Sequence, residues 1–176
     1  MLVTLSEYFL QRYVKEGAVM VLNALLKLSG QIQGQIQGPV NLRGREGSIW
    51  VYSYNNEIIS PRDPESGLPS GIRGHKSVVI TKEIDKASPL LWKAFVKNET
   101  LTTWELRFWE ASTEKQIYTI SLTNATIASI REIMTGNEGP SSAKRSLYEE
   151  ISFTYEKITW MWIEGGVAAD DDWPKF

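Results

Sequence analysis

The amino-acid sequence predicts a mainly β domain, a small antiparallel β-barrel built from two bent sheets with one flanking α-helix. Two observations carry this prediction. Between residues 147 and 163 the apolar side chains occupy odd positions as far as Tyr155 and even positions from Ile158 onward, and residues 117–130 change parity in the same way at Asn124. Because strand side chains alternate with a period of two, each change indicates a bulge or bend that carries a strand from one sheet into another. Two such strands favour a barrel over a flat sheet.

Length and composition set the outer bounds of the interpretation. A chain of 176 residues with 42% hydrophobic residues fits one compact domain with a substantial core. The formal net charge of -2 predicts neither nucleic acid nor an anionic membrane as a partner. The absence of cysteine excludes disulfides and thiol chemistry, and a single histidine argues against a zinc site, so no cofactor is expected. The sequence contains no run of 18 apolar residues, so membrane insertion is not predicted.

The first 19 residues differ in pattern from the rest, which divides the chain into an extension, 1–19, and a single domain, 20–176. Thr4 and Glu7 have the spacing of a capping box, and Leu5, Phe9 and Tyr13 fall on one helical stripe. The segment is either a short helix docked on the domain or a loosely ordered extension. Charged residues interrupt its apolar run, so it is not a signal peptide.

Alternation with period two begins at Val21 and predicts a first strand, followed by a duplicated tetrapeptide over 30–38 and a second strand over 36–42. Residues 48–54 then place large side chains on both faces. The aromatic set consists of Trp50, Tyr52 and Tyr54. Since neither face of such a strand can lie wholly in water without a partner, one of them is a candidate interface.

Residues 55–76 contain three prolines and three glycines, a composition that predicts a loop without strand pairing. A loop of this length in a compact domain is either disordered or binds a partner, and we favour binding. Its candidate polar contacts are Arg62, Asp63, Glu65 and Arg73.

A helix is predicted after residue 87, and it is the only one that the rest of the domain indicates firmly. Ser88 is expected to cap its amino terminus, with Pro89 in the first turn. Leu91 and Phe95 belong to its apolar stripe, and Asn98 is expected to end it in the left-handed conformation. A hairpin then follows over 103–130. Phe153, Trp160 and the other alternating apolar residues of the last strand are assigned to the core.

Residues that could carry catalysis are sparse, and no enzymatic activity is predicted. His75 ends the long loop without a second histidine nearby, which favours a surface or loop position over a metal ligand or base. Glu149, Glu150 and Glu156 fit the solvated face of a strand or an intersubunit contact better than an acid/base pair. The aspartates at 170–172 fit a solvated tail better than a cation site.

Four segments together resemble the haemolysin-coregulated protein family, the tube protein of type VI secretion. They are GREGSI at 44–49, ITKEIDKASP at 80–89, SLTNA at 121–125 and SFTYEKITW at 152–160. Each is weak alone, but their shared order around one helix makes the resemblance specific over residues 21–162. The extension at 1–19 departs from the family pattern.

The resemblance implies a ring of six copies, with rings stacked into a tube inside a contractile sheath and a spike protein at the tip. It further implies small effectors held in the lumen, and a cytoplasmic protein that is exported from the bacterium without a signal peptide. A different interpretation of the same pattern is a monomeric barrel that binds a small apolar ligand in its interior. A hydrolase or toxin lacks the required set of nucleophile, base and orienting residue.

Overall fold

The computed structural model describes residues 22–135 and 146–174. The predicted extension at 1–19 lies outside these ranges, and the division into 1–19 and 20–176 stays a prediction. Thirteen strands are present in the described residues: β1 (Leu22–Gly30), β2 (Gly34–Ile36), β3 (Ile49–Val51), β4 (Ser53–Asn55), β5 (Ile58–Ile59), β6 (Gly74–His75), β7 (Val78–Glu83), β8 (Leu101–Glu110), β9 (Gln116–Thr123), β10 (Thr126–Thr135), β11 (Ser146–Thr154), β12 (Lys157–Trp162) and β13 (Val167–Asp172). The α-helix within these residues is α1 (Ser88–Val96), and a 3-10 turn spans Glu164–Gly166.

The strands form two antiparallel sheets and a small ribbon. The larger sheet has the order β13-β12-β9-β8-β1-β2, with β3 also paired to β1, and the smaller has the order β10-β11-β7-β4. Strands β5 and β6 pair only with each other. The predicted class, mainly β with antiparallel bent sheets and one flanking helix, is confirmed. None of the helices within the described ranges has the length and apolar character needed to cross a membrane.

Both predicted parity changes are places where the chain passes from one sheet to the other. Strand β9 lies in the larger sheet and its continuation β10 in the smaller, with Asn124 between them at φ 49°. Strands β11 and β12 divide between the sheets in the same way on either side of Tyr155 and Glu156. A third crossing separates β3 from β4, so that Val51 and Tyr54, which differ in parity, both pack on the core.

The core lies between the two sheets, where their inward side chains meet. The larger sheet contributes Leu26, Trp104 and Leu106, which are at most 1% exposed, and the rings of Trp104 and Phe153 meet edge to face with centroids 5.5 Å apart. Ile158 is fully buried, but Trp160 is only partly buried and Trp162 is 43% exposed. The assignment of Trp162 to the core is therefore wrong, because side-chain exposure increases along β12 after Ile158 and its last two residues are exposed.

Two strand predictions are also wrong in detail. The second strand ends at Ile36 instead of residue 42, because the chain turns back on itself: the amide of Gly38 donates to the carbonyl of Gly47 over 2.8 Å. A Cβ on Gly38 would stand 2.3 Å from the carbonyl oxygen of Ser48, so only glycine allows this close approach. The acidic tail is not free in solvent either, since Asp170–Asp172 belong to β13, which pairs with β12 over six residues.

Helix α1 begins one residue earlier than predicted. Its N-cap position is Ala87, with Pro89 in the first turn, and Ser88 is not the cap. The Ser88 hydroxyl instead accepts a hydrogen bond from the Asp85 amide at 3.0 Å and donates to Glu149 Oε1 at 2.7 Å. At the other end Asn98 adopts φ 48°, the predicted left-handed conformation.

Candidate assembly surface

The long loop is a hairpin that projects from the body of the domain, and residues 57–76 are called the arm below. The amide of Lys76 donates to the carbonyl of Glu57 at 3.0 Å, β5 and β6 pair next, and a bridge joins Arg62 to Pro69. The prediction that its composition allows no strand pairing is wrong. The prolines fall at positions where the hairpin needs no donor, and Pro61 still accepts from the amide of Ser70 at 3.0 Å.

The tip of the arm is closed by a turn organised around Asp63. Its Oδ1 accepts hydrogen bonds from the amides of Glu65 and Ser66 at 3.1 and 2.7 Å, and from the Ser66 hydroxyl at 2.8 Å. These donors, the Ser66 amide first, lower the pKa of Asp63 below its ordinary value. Asp63 is thus already engaged within the arm, whereas Arg62 and Glu65 are exposed beside it.

Three apolar side chains of the arm face solvent. Leu68 is 65% exposed, Ile72 is 69% exposed and Ile59 is 44% exposed. Arm residues 59–74 other than Asp63 are all exposed, so the arm has no core of its own. Apolar side chains held out on an ordered projection are typical of a surface that another protein covers.

The base of the arm is fixed to β13 by an arrangement that we call the base anchor: Arg73, His75, Tyr155, Asp171 and Trp173. Arg73 donates through Nε to Asp171 Oδ2 at 2.5 Å and through Nη2 to Oδ1. His75 Nε2 lies 3.0 Å from Asp171 Oδ2, and His75 Nδ1 lies 3.1 Å from the Tyr155 hydroxyl. A proton on Nε2 donated to Asp171, with Nδ1 accepting from the Tyr155 hydroxyl, satisfies both contacts. The prediction that His75 has a surface or loop position is wrong, because its side chain is fully buried.

Aromatic packing and charge reinforce the base anchor. The ring of Trp173 lies 5.6 Å from that of His75 and 5.1 Å from that of Tyr155. The hydrogen-bonded guanidinium of Arg73 lowers the pKa of Asp171 to about 2, with His75 adding to the effect. Burial raises the pKa of Tyr155 to about 12, which keeps its hydroxyl protonated as a donor to His75.

The three predicted aromatic residues lie in the body, apart from the arm. Trp50 pairs with Leu25 of β1 and is half-buried, whereas Tyr52, at the crossing between sheets, is 59% exposed. Tyr54 packs against the core, with its ring 6.0 Å from that of Phe108, and burial raises its pKa. Of the three, Tyr52 therefore offers the most surface to a partner.

The seven predicted interface residues thus fall into three places. Arg62, Asp63 and Glu65 share the tip of the arm, and Arg73 lies at its base in an ion pair with Asp171. The aromatic set lines the β3–β4 crossing. The surface that residues 57–76 offer consequently includes the exposed apolar side chains Ile59, Leu68 and Ile72 as well as the charged tip. The charge pattern of the sequence did not single out these apolar side chains.

A buried polar cluster, missed by the sequence analysis, joins the helix to the smaller sheet. Lys82 and Glu149 face each other across β7 and β11, are both fully buried and form an ion pair of 2.6 Å. Lys82 Nζ also contacts Ser88 Oγ and Asp85 Oδ1, each at 3.1 Å. The expectation that Glu149 lies on a solvated strand face is wrong, because Lys82 supplies its counter-charge in the interior.

A second buried carboxylate, Glu99, shapes the turn between β1 and β2. Its Oε1 accepts from the amides of Ile32 and Gln33 at 2.7 and 2.9 Å, and Glu99 is 3% exposed. A Cβ on Gly30 would stand 2.2 Å from Glu99 Oε1, so the carboxylate enters space that only glycine leaves open. Both of these clusters hold structural elements together without reaching the surface.

The fold agrees with solved structures of one class of secretion protein. A structure described as the crystal structure of Hcp protein covers 89% of this chain and 100% of its own, with a TM-score of 0.79 and 28% identity. The Hcp1 protein from the E. coli EAEC 042 pathovar gives a TM-score of 0.75 at 29% identity, covering 87% of this chain and 99% of its own. Secreted protein Hcp3 from Pseudomonas aeruginosa gives 0.69 at 32% identity, covering 88% and 100%.

The sequence itself carries the same relationship. The family model described as "Type VI secretion system effector, Hcp" matches residues 26–162. The major exported protein of Pseudomonas aeruginosa is 39% identical over 162 residues, which cover 85% of this chain and 94% of that protein. The chain therefore belongs to the Hcp family of the type VI secretion system, as the four sequence segments predicted.

Proposed function

We propose that this protein is a structural, non-enzymatic subunit of the type VI secretion tube. The observation that carries the proposal is the family match across residues 26–162, together with the 39% identity to an exported protein. On this proposal six copies close into a ring and rings stack into a tube within a contractile sheath, behind a spike protein. The protein is in the bacterial cytoplasm before the sheath contracts and is exported with the tube. The lumen of the ring carries small effectors.

The surfaces described above support self-association. A closed ring needs heterologous contacts, in which two different patches of one subunit meet their counterparts on neighbours. The exposed side chains of the arm form one such patch, with Leu68, Arg62 and Glu65 at the tip and the exposed Ile72 nearer the base. The exposed Tyr52 at the β3–β4 crossing belongs to a second. We propose that the arm contacts a neighbouring copy, in the same ring or the next.

Electron microscopy of the purified protein tests this function. The expected images are closed rings with six-fold symmetry and an open centre, single or stacked end to end. Particles of the size of a single subunit, or open chains without closure, would contradict the proposal. Export measured in type VI-competent cells, with a sheath-deficient strain as the control, tests the secretion step separately.

A further inference from the structure

Strand β13 contributes almost nothing to the core, and its ordered position needs another explanation. Residues 167–170 and 172 are exposed, and Asp171 is the member of β13 whose side chain is largely covered, at 15% exposure. That side chain receives Arg73 and His75, both from the arm. The covered side chain of β13 thus contacts the arm, whose two residues in this contact lie 96 and 98 residues away in the sequence.

The residue after the strand acts in the same direction. Trp173 packs its ring on both His75 and Tyr155, and its amide donates to the carbonyl of Glu156 at 2.8 Å. Trp173 therefore contacts the body through its backbone amide and the arm through its ring. Together Asp171 and Trp173 hold the second strand of the arm at the place where it rejoins the body.

The arm depends on such an attachment because a lone two-stranded hairpin is marginal in water. Its ladder is short, with two paired residues in each of β5 and β6, and its exposed length gains no stability from burial. Charge-assisted, bidentate hydrogen bonds between a guanidinium and a carboxylate are strong and directional. The base anchor supplies what the rest of the arm lacks. The hydrogen bonds from Arg73 fix the direction of the arm, and His75 adds a buried side chain at its base.

We propose that Asp171 and Trp173 are positioning residues that set the angle at which the arm leaves the body, and thereby allow the arm to meet a neighbouring copy. The inference rests on the proposed function for its consequence in assembly, but the restraint on the arm is a property of the single subunit. Loosening the anchor should leave the two-sheet core folded, release the arm and weaken assembly.

Hydrogen–deuterium exchange of peptides covering 57–76 measures the restraint directly. Asp171→Asn removes the charge that holds Arg73 and His75, and we expect arm amides near Ile58 and Lys76 to exchange roughly tenfold to a hundredfold faster. The matched control is Asp172→Asn, which removes the same charge from the next residue, whose side chain is exposed. The arm of this variant should exchange as in the parent. All proteins are compared in the same assembly state, checked by light scattering.

A second pair of variants guards against a folding defect in the first. The Arg73 side chain is 56% exposed, so Arg73→Gln should loosen the arm without unfolding the body. Arg73→Lys, which keeps the charge but not the fork, should restore part of the protection. If Arg73 served only to fill space at the base of the arm, Arg73→Lys would protect the arm amides no better than Arg73→Gln.

The results separate the anchor from the proposed function. A loosened arm in Asp171→Asn and Arg73→Gln, with a roughly tenfold weaker assembly midpoint, supports the inference. Arm exchange within twofold of the parent in both variants, or equal loosening in Asp172→Asn, would overturn it. A parent protein that stays monomeric would refute the tube function and, with it, the assembly role of the anchor, while exchange would still decide whether Asp171 restrains the arm.

Discussion

The two-sheet body and the arm reach an ordered structure by opposite means. In the body, side chains such as Leu26, Ile80 and Phe153 are at most 1% exposed and fill the space between the sheets. In the arm, Leu68 and Ile72 are about two-thirds exposed, and order comes from backbone pairing, the Asp63 turn and the base anchor. The body is thus stabilised by burial, and the arm by hydrogen bonds at its two ends.

This difference fits the proposed assembly, in which a body with its own core presents a separate surface to neighbouring copies. The body has a core of its own, because the side chains between its two sheets are removed from water. The arm holds apolar side chains in water in a fixed direction, and in the proposed assembly their burial on a neighbour adds to the free energy of association. Little conformational entropy is then lost at that step, because the arm is ordered beforehand.

The largest expected effect comes from opening the core of the body. Phe153→Ala removes a fully buried ring that packs on Trp104, and should lower the free energy of unfolding by roughly 3 to 5 kcal/mol. Trp160→Ala should cost less, because that ring is only partly buried, and Trp162→Ala less again. Urea denaturation of the three variants gives the order. Equal losses for Phe153→Ala and Trp162→Ala would contradict the placement of the core.

A comparable loss is expected from breaking the buried ion pair of the body. Lys82→Met leaves Glu149 charged in the interior without its counter-ion, and should destabilise by roughly 3 to 5 kcal/mol. The double variant Lys82→Met with Glu149→Leu should recover most of this, since the carboxylate that then lacks Lys82 is that of Asp85, which is partly exposed to water. Lys86→Met, at an exposed position, is the control. A double variant as unstable as the single one would show that the pair contributes more than neutralisation.

A smaller effect is expected at the turn between β1 and β2. Glu99→Ala strands the amides of Ile32 and Gln33, and should cost about 1 to 3 kcal/mol of unfolding free energy. Glu164→Ala removes an exposed carboxylate and serves as the control. Thermal unfolding followed by circular dichroism compares them, and indistinguishable melting temperatures would mean that the carboxylate does not hold the turn.

The smallest effect on folding, with the largest contrast in assembly, is expected at the exposed apolar side chains of the arm. Leu68→Ser combined with Ile72→Ser should change the free energy of unfolding by no more than about 0.5 kcal/mol, because both side chains already face water. Sedimentation velocity should nevertheless show a loss of assembled species. Ile32→Ser, 70% exposed on the β1–β2 turn, is the matched control and should assemble as the parent does. Unchanged assembly in the arm variant would argue that these two side chains touch no neighbour.

The sequence predicted the body much better than the arm. Parity changes at Asn124 and after Tyr155 located two of the sheet crossings, because a period of two is sensitive to a single-residue slip. The arm has only two-residue strands, too short for any period, so its proline and glycine content suggested a loop.

The contacts that hold distant segments together could not be predicted at all. Asp171 meets Arg73 and His75, and Lys82 meets Glu149 across 67 residues, yet no local spacing links the members of either group. A buried lysine or glutamate looks in the sequence like any other charge on an alternating strand, and its burial depends on a counter-charge from another strand. The order of segments resembling a known family identified the protein class, but it did not show where the arm attaches.

The molar mass of the purified parent protein in solution tests the central claim most directly, namely that a body able to fold alone assembles with its copies. Light scattering over a micromolar concentration series should give about 120 kDa, six times the chain mass of 20.0 kDa, or multiples of it as rings stack. A constant mass near 20.0 kDa across that range would contradict the account.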